Sequence, residues 1–190
     1  MPLVLASASP RRRELLTQIG VSDLIQHPVD IDETPRVGET AVQLVPRLAL
    51  EKAEQGVIEQ GDENPVIGSD TVGLLNGEVL CKPVDYADAE RMLLNMSNQW
   101  HEIYTSVALI YKGEKYQTTS VSRVKFRELS VAEIKDYWAT GEPQDKAGAY
   151  AVQGLAAVFI ERIEGSYSGI MGLPLFETAQ LMQQAGYKYN

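Results

Sequence analysis

Apolar and polar positions alternate along this chain in two rhythms, one of short strands and one of amphipathic helices. Leu3, Val4 and Leu5 form an apolar run suited to a buried strand. Ser9-Pro10 then opens a helical pattern, because serine caps free amides and proline suits the first helical position. Leu15, Leu16 and Ile19 mark that helix's apolar face. Residues 21–28 read as a second short strand. Residues 40–59 form a second helix, capped by Thr40, with Leu44, Val45, Leu48 and Ala49 turned inward. Pro46 falls inside it and predicts a kink or a delayed start. Val66 and Ile67 begin a strand that Gly68-Ser69-Asp70-Thr71 interrupts and residues 72–75 resume. Asn76-Gly77 is a hairpin signal, and residues 85–96 form a third helix with acids in its first turn.

Further on, residues 103–110 and 121–126 read as strands joined through a turn near Lys112-Gly113. Ser130 and Glu133 make a capping box, and the helix it opens stops at Gly141. Residues 141–154 are glycine-rich and polar, as binding loops often are. A strand over 157–163, a turn at 165–167 and a last helix from Gly172-Leu173-Pro174 to about Gln184 complete the pattern. No internal repeat or linker interrupts it. The alternation predicts one α/β domain over residues 1–190, with a mixed β-sheet flanked by helices.

Several charges sit where that pattern disfavours them. Arg11, Arg12 and Arg13 occupy the first turn of the first helix, beside amides and a dipole that are already positive. A phosphate bound at the turn removes the conflict. The plainer alternative is pairing with surface carboxylates. At about 100° per residue Arg12 projects near the middle of the apolar face, Arg11 roughly 90° away, and Arg13 further toward solvent. Lys52 also points from the middle of an apolar face, so either its stem reaches past the helix end or its ammonium meets an anion. Asp70 lies within a buried strand, which is unfavourable unless the carboxylate is paired or reactive. It is a candidate metal ligand or general base. Lys82 follows the returning hairpin strand. Asp30, Asp32 and Glu33 lie together before Pro35, as a polar loop or as oxygen ligands for a hard cation.

Totals narrow the chemistry. A net charge of −9 argues against general binding to nucleic acid or a membrane surface. No apolar run has membrane-spanning length, and no charged-then-apolar leader is present. The single cysteine, Cys81, fits a reducing cytoplasm. His27 and His101 with Cys81 are too few for an ordinary zinc site. Neither a GxxxxGK[ST] loop nor a GxGxxG fingerprint occurs, and no Ser-His-Asp set is arguable. What remains is four cations, Arg11, Arg12, Lys52 and Lys82, with two acids, Glu33 and Asp70. That inventory suits metal-dependent phosphate chemistry.

The blocks ASASPRRRELL, IDET, LALEKA, GSDT, CKP, DKAGAY.VQG and GSY..IMGLPL, in this order, resemble the Maf family of nucleotide pyrophosphatases along essentially the whole chain. The resemblance implies two lobes with a central cleft, often in a homodimer. It implies hydrolysis of a nucleoside triphosphate to monophosphate and pyrophosphate with a divalent cation, Mg or Mn. It gives substrate contacts to Ser7, Arg11, Arg12, Lys52 and Lys82, a metal role to Glu33 and Asp70, and the catalytic acid to Asp70. Thr71 and Gln153 resemble the dTTP/UTP branch rather than the branch preferring 7-methyl-GTP, and Arg11, Thr71 and Gln153 are the residues expected to set base choice. An amide such as Gln153 can donate to and accept from a pyrimidine imide edge. Pro46 and Ser69 depart from the branch's pattern. A reading of another class is a nucleotide-binding regulator of cell division without turnover. It would need the cations but not the two acids.

Overall fold

Ten residues that the apolar pattern splits in two form one strand. In the computed structural model, which describes residues 1–188, β3 runs without a break over Val66–Leu75 and carries Asp70 at its middle. It follows β1 (Leu3–Leu5), α1 (Pro10–Gln18), β2 (Leu24–Gln26) and α2 (Ala41–Gln60). After it come β4 (Glu78–Val79), α3 (Tyr86–Met96), β5 (Trp100–Tyr111), β6 (Glu114–Phe126), α4 (Val131–Ala139), β7 (Ile160–Glu164), α5 (Tyr167–Met171) and α6 (Leu175–Gln184). The strands order as β2-β1-β3-β5-β6-β7, with β4 paired to β3. β1 is parallel to β2 and β3, whereas β3–β4 and β6–β7 are antiparallel. The sheet is mixed, as the strand–helix alternation predicts.

The chain divides into two compact units. The first comprises residues 1–71, 105–120 and 172–190, and the second residues 72–104 and 121–171. Each has its own core. In the first, Ala49 and Ala53 of α2 pack with Ala108 and Ile110, and Val4, Ala6 and Val66 form a neighbouring cluster. In the second, Met92, Leu93 and Met96 of α3 pack with Phe126, Ile134, Tyr137, Tyr150 and Phe159.

Local chemistry explains the elements. Ser9 Oγ accepts the Arg12 backbone N–H at the start of α1. Thr40 and Gln43 form a reciprocal capping box on α2. Pro46 neither delays nor breaks that helix. It deprives the Val42 carbonyl of its helical partner, but Val42 is exposed and water can serve. The expected strand over 157–163 is shorter: residues Leu155–Phe159 form a 3-10 turn, and pairing begins only at Ile160. Conversely β6 starts at Glu114 rather than near 121; its first half is polar and mostly exposed, so no apolar alternation marks it in the sequence.

Candidate active site

The first unit gathers seven of the expected residues. Arg12 leaves the first turn of α1 and commits three nitrogens to neutral oxygens. Nε donates to the Gly172 carbonyl at 2.8 Å, one terminal nitrogen to Ser7 Oγ at 3.1 Å and the other to Thr71 Oγ1 at 3.4 Å. Among the described residues no carboxylate pairs with it directly, so its charge is left for an anion while its direction is fixed. Burial lowers its pKa below the usual value and Arg11 adds to this, while Asp70 and Glu33 pull the other way. Arg11 is half-buried in the same turn, and Arg13 is exposed, as the helix arithmetic predicts.

Lys52 on α2 stands between two acids. Its Nζ lies 2.8 Å from Asp70 Oδ1 and 2.8 Å from Glu33 Oε1. Its side chain is 12% exposed, so the ammonium meets Asp70 inside the fold, while Glu33, 60% exposed, reaches it from the solvent side. Asp70 is likewise largely buried, and that burial raises its pKa against the opposing pull of Lys52 and Arg12. A carboxylate held this way is a better proton acceptor than a solvated one. Glu33 arrives from a segment without regular structure, which α2 holds by charge. Arg47 grips both oxygens of Glu39 at 2.6 and 2.7 Å, reaches Glu51 at 2.8 Å and donates to the Thr34 carbonyl at 3.1 Å. Those bonds keep the Glu39 carboxyl down at about 2. Asp32 accepts the Thr34 backbone N–H instead of turning to Lys52.

Glu33 and Asp70 thus converge on one point. Among the described residues, no cluster of three or more His, Cys, Asp or Glu is arranged to hold a metal ion unaided. Two converging carboxylates nonetheless fit a magnesium-like cation, which takes one or two carboxylates and fills its other positions with water and substrate phosphate.

Three contributors escape the sequence reading. The Gly172 carbonyl is a backbone group and leaves no side-chain signal. Ser69 is fully buried, with Oγ 2.8 Å from the Ser106 carbonyl and 3.0 Å from that of Gly172. Its hydroxyl, a departure from the branch's pattern, braces the carbonyl that aims Arg12. Thr105 donates to Thr71 Oγ1 at 3.0 Å. The other two expected residues belong to the second unit. Lys82 is exposed and follows Cys81, whose carbonyl accepts the Gly148 N–H at 2.9 Å. Gln153 is exposed in the glycine-rich stretch.

The family model described as Maf-like protein matches residues 2–185. The chain belongs to the Maf family. A dTTP/UTP pyrophosphatase of Hahella chejuensis is 51% identical over 188 residues, covering 98% of this chain and 93% of that protein. Proteins of the same name from Bordetella avium and Aromatoleum aromaticum are 48% and 50% identical, covering 97% of this chain and 95% and 96% of their own lengths. Among solved structures, a HAM1 protein from Coxiella burnetii superposes with a TM-score of 0.55 at 17% identity, over 97% of this chain and 100% of that one. That likeness concerns the fold alone. Within this Maf chain, Ser7, Arg12, Lys52, Asp70 and Thr71 come from blocks far apart in sequence and meet in one unit.

Proposed function

We propose that this chain is a single nucleoside triphosphate pyrophosphatase domain that hydrolyses dTTP and UTP to the monophosphate and pyrophosphate. The names and near-complete overlap of its relatives support the substrate class. One observation carries the chemistry: a buried aspartate of raised pKa, held by a buried lysine, in the same unit as an arginine whose bonds all go to neutral oxygens.

In this reading Arg12, supported by Arg11 and Ser7, holds the phosphates, and Lys82 contributes a further cation. Lys52 fixes Asp70 through Oδ1. The Asp70 carboxylate takes a proton from water as the water oxygen bonds to the α-phosphorus, and the bond from that phosphorus to the bridging oxygen breaks to release pyrophosphate. Glu33 and Asp70 would hold a divalent cation, Mg or Mn, which neutralises phosphate charge when bound. Thr71, Gln153 and Arg11 select the base. The homodimer and the cytoplasmic location implied at the outset belong to the same reading.

The decisive measurement is pyrophosphate release from a panel of nucleotides, including dTTP, UTP and 7-methyl-GTP, with wild type and Asp70→Asn. Wild type should turn over dTTP and UTP in preference to 7-methyl-GTP. The variant should lose about 10²- to 10⁴-fold in kcat while folding normally. Retained turnover in the variant would remove Asp70 from its role. A flat panel with tight binding would favour a regulator without turnover.

A further inference from the structure

Gln153 and Leu155 are exposed, but Ala151 and Val152 before them and Ala156 after them are buried. Side chains of three other elements tie this short stretch down. His101 on β5, fully enclosed, has Nε2 2.7 Å from Tyr150 Oη. Tyr137 on α4 donates its hydroxyl to Glu142 Oε1 at 2.7 Å. Glu142 takes the Leu155 N–H on Oε2 at 2.9 Å and the Ala156 N–H on Oε1 at 3.4 Å. A Cβ on residue 154 would lie 2.3 Å from one of those carboxylate oxygens, so the Glu142 carboxylate packs directly on the backbone of Gly154. Just upstream, Ala149 has a φ of 60°, a left-handed conformation unusual for alanine. Such strain persists only where the surroundings over-determine it.

The stretch is therefore anchored before and after the exposed Gln153 amide. A solvent loop has no need of this. A recognition group does, because order established before binding spares the entropy of ordering during it. An amide must also align donor and acceptor with the edge it reads. We propose that Tyr137 and Glu142 are positioning residues for nucleobase selection, acting through Gln153. The inference rests on the base-selecting role of Gln153 given above and extends it to two residues that do not touch substrate. Burial and the neighbouring Glu142 charge both keep the Tyr137 hydroxyl protonated, so it remains a donor.

The test uses calorimetric binding of non-hydrolysable α,β-imido analogues of dUTP and dCTP, so that it is independent of turnover. Inorganic tripolyphosphate probes the phosphate contacts alone. Glu142→Gln keeps the shape but sets an NH₂ group against a donor, and Tyr137→Phe removes one hydroxyl. In both, the uracil-over-cytosine affinity ratio should fall about tenfold, tripolyphosphate affinity should not change, and adding Gln153→Ala should cause little further loss. If Gln153→Ala collapses the ratio while the other two variants preserve it, the positioning proposal is wrong and the role of Gln153 stands. If Gln153→Ala leaves the ratio intact, both fall. Weaker tripolyphosphate binding at a constant ratio would mean that the pair serves only the fold. Should Glu142→Gln not fold, Tyr137→Phe decides alone.

Discussion

Gly68 should be one of the least replaceable residues of the first unit. A Cβ there would sit 2.2 Å from the Ala49 carbonyl oxygen and 2.6 Å from the Ala53 nitrogen. Both are backbone atoms of α2, which cannot swing aside as a side chain does. Ordinary contact needs about 3.5 Å, so Gly68→Ala must drive α2 away from β3 by about 1 Å. Overpacking of this kind costs about 1–3 kcal/mol, and a rigid backbone neighbour places it at the upper end. For a chain of this size about 3 kcal/mol lowers the melting temperature by about 6–12 °C. Function should suffer more than stability. Lys52 lies on the displaced helix, 2.8 Å from Asp70 on β3, and a misplacement of about 1 Å can cost about 10²-fold in rate.

Urea denaturation followed by circular dichroism, with pyrophosphate release from dTTP, reads both effects. Gly73→Ala is the control on the same strand. Its Cβ would meet only side-chain atoms of Leu80 and Ile103, at 3.1–3.3 Å, and these can yield. Gly68→Ala within about 0.5 kcal/mol of wild type, with unaltered turnover, would refute the claim that close backbone approach sets the Lys52–Asp70 geometry.

Two further outcomes follow from the charges. Burial lowers the His101 pKa to about 4, so the unfolded chain binds a proton that the folded one refuses. The stability linked to this group is complete above about pH 6.5 and is lost as pH falls toward 4, by about 3 kcal/mol in all. His101→Phe should flatten that slope in urea midpoints taken from pH 7.5 to 4.5, and identical slopes would count against it. Arg12→Lys keeps the charge but cannot reach Gly172, Ser7 and Thr71 together. The KM for dTTP should rise about 10- to 100-fold, whereas an unchanged KM would mean that charge alone suffices.

Much of the site is legible in sequence because its residues violate local rules. Arginine in a first turn, lysine on an apolar helical face and aspartate in a buried strand are each unfavourable alone, and the structure shows how they are accommodated. Lys52 and Asp70 satisfy each other, and Arg12 is held by neutral oxygens. The capping residues were equally readable, since each acts within four positions. Residues acting across long separations were not. Gly68 looks like an interruption of β3 because nothing in a period of two reveals a helix crossing that strand. Residues 155–159 are apolar enough for a strand, yet Glu142, more than ten positions upstream, captures the Leu155 and Ala156 amides within a 3-10 turn.

Charge also bears on the chemistry proposed for the first unit. Lys52 lies between Glu33 and Asp70, and Arg11 and Arg12 share the first turn of α1, so these five residues carry one positive charge in excess. A nucleoside triphosphate brings about four negative charges to a site that must exclude bulk water to react. In the proposed reading a divalent cation would supply two of the three that are missing. The carboxylates that leave the set short of positive charge are those that would hold the cation and accept the proton. If they do, the deficit is a consequence of the chemistry, and chelating the ion should weaken triphosphate binding.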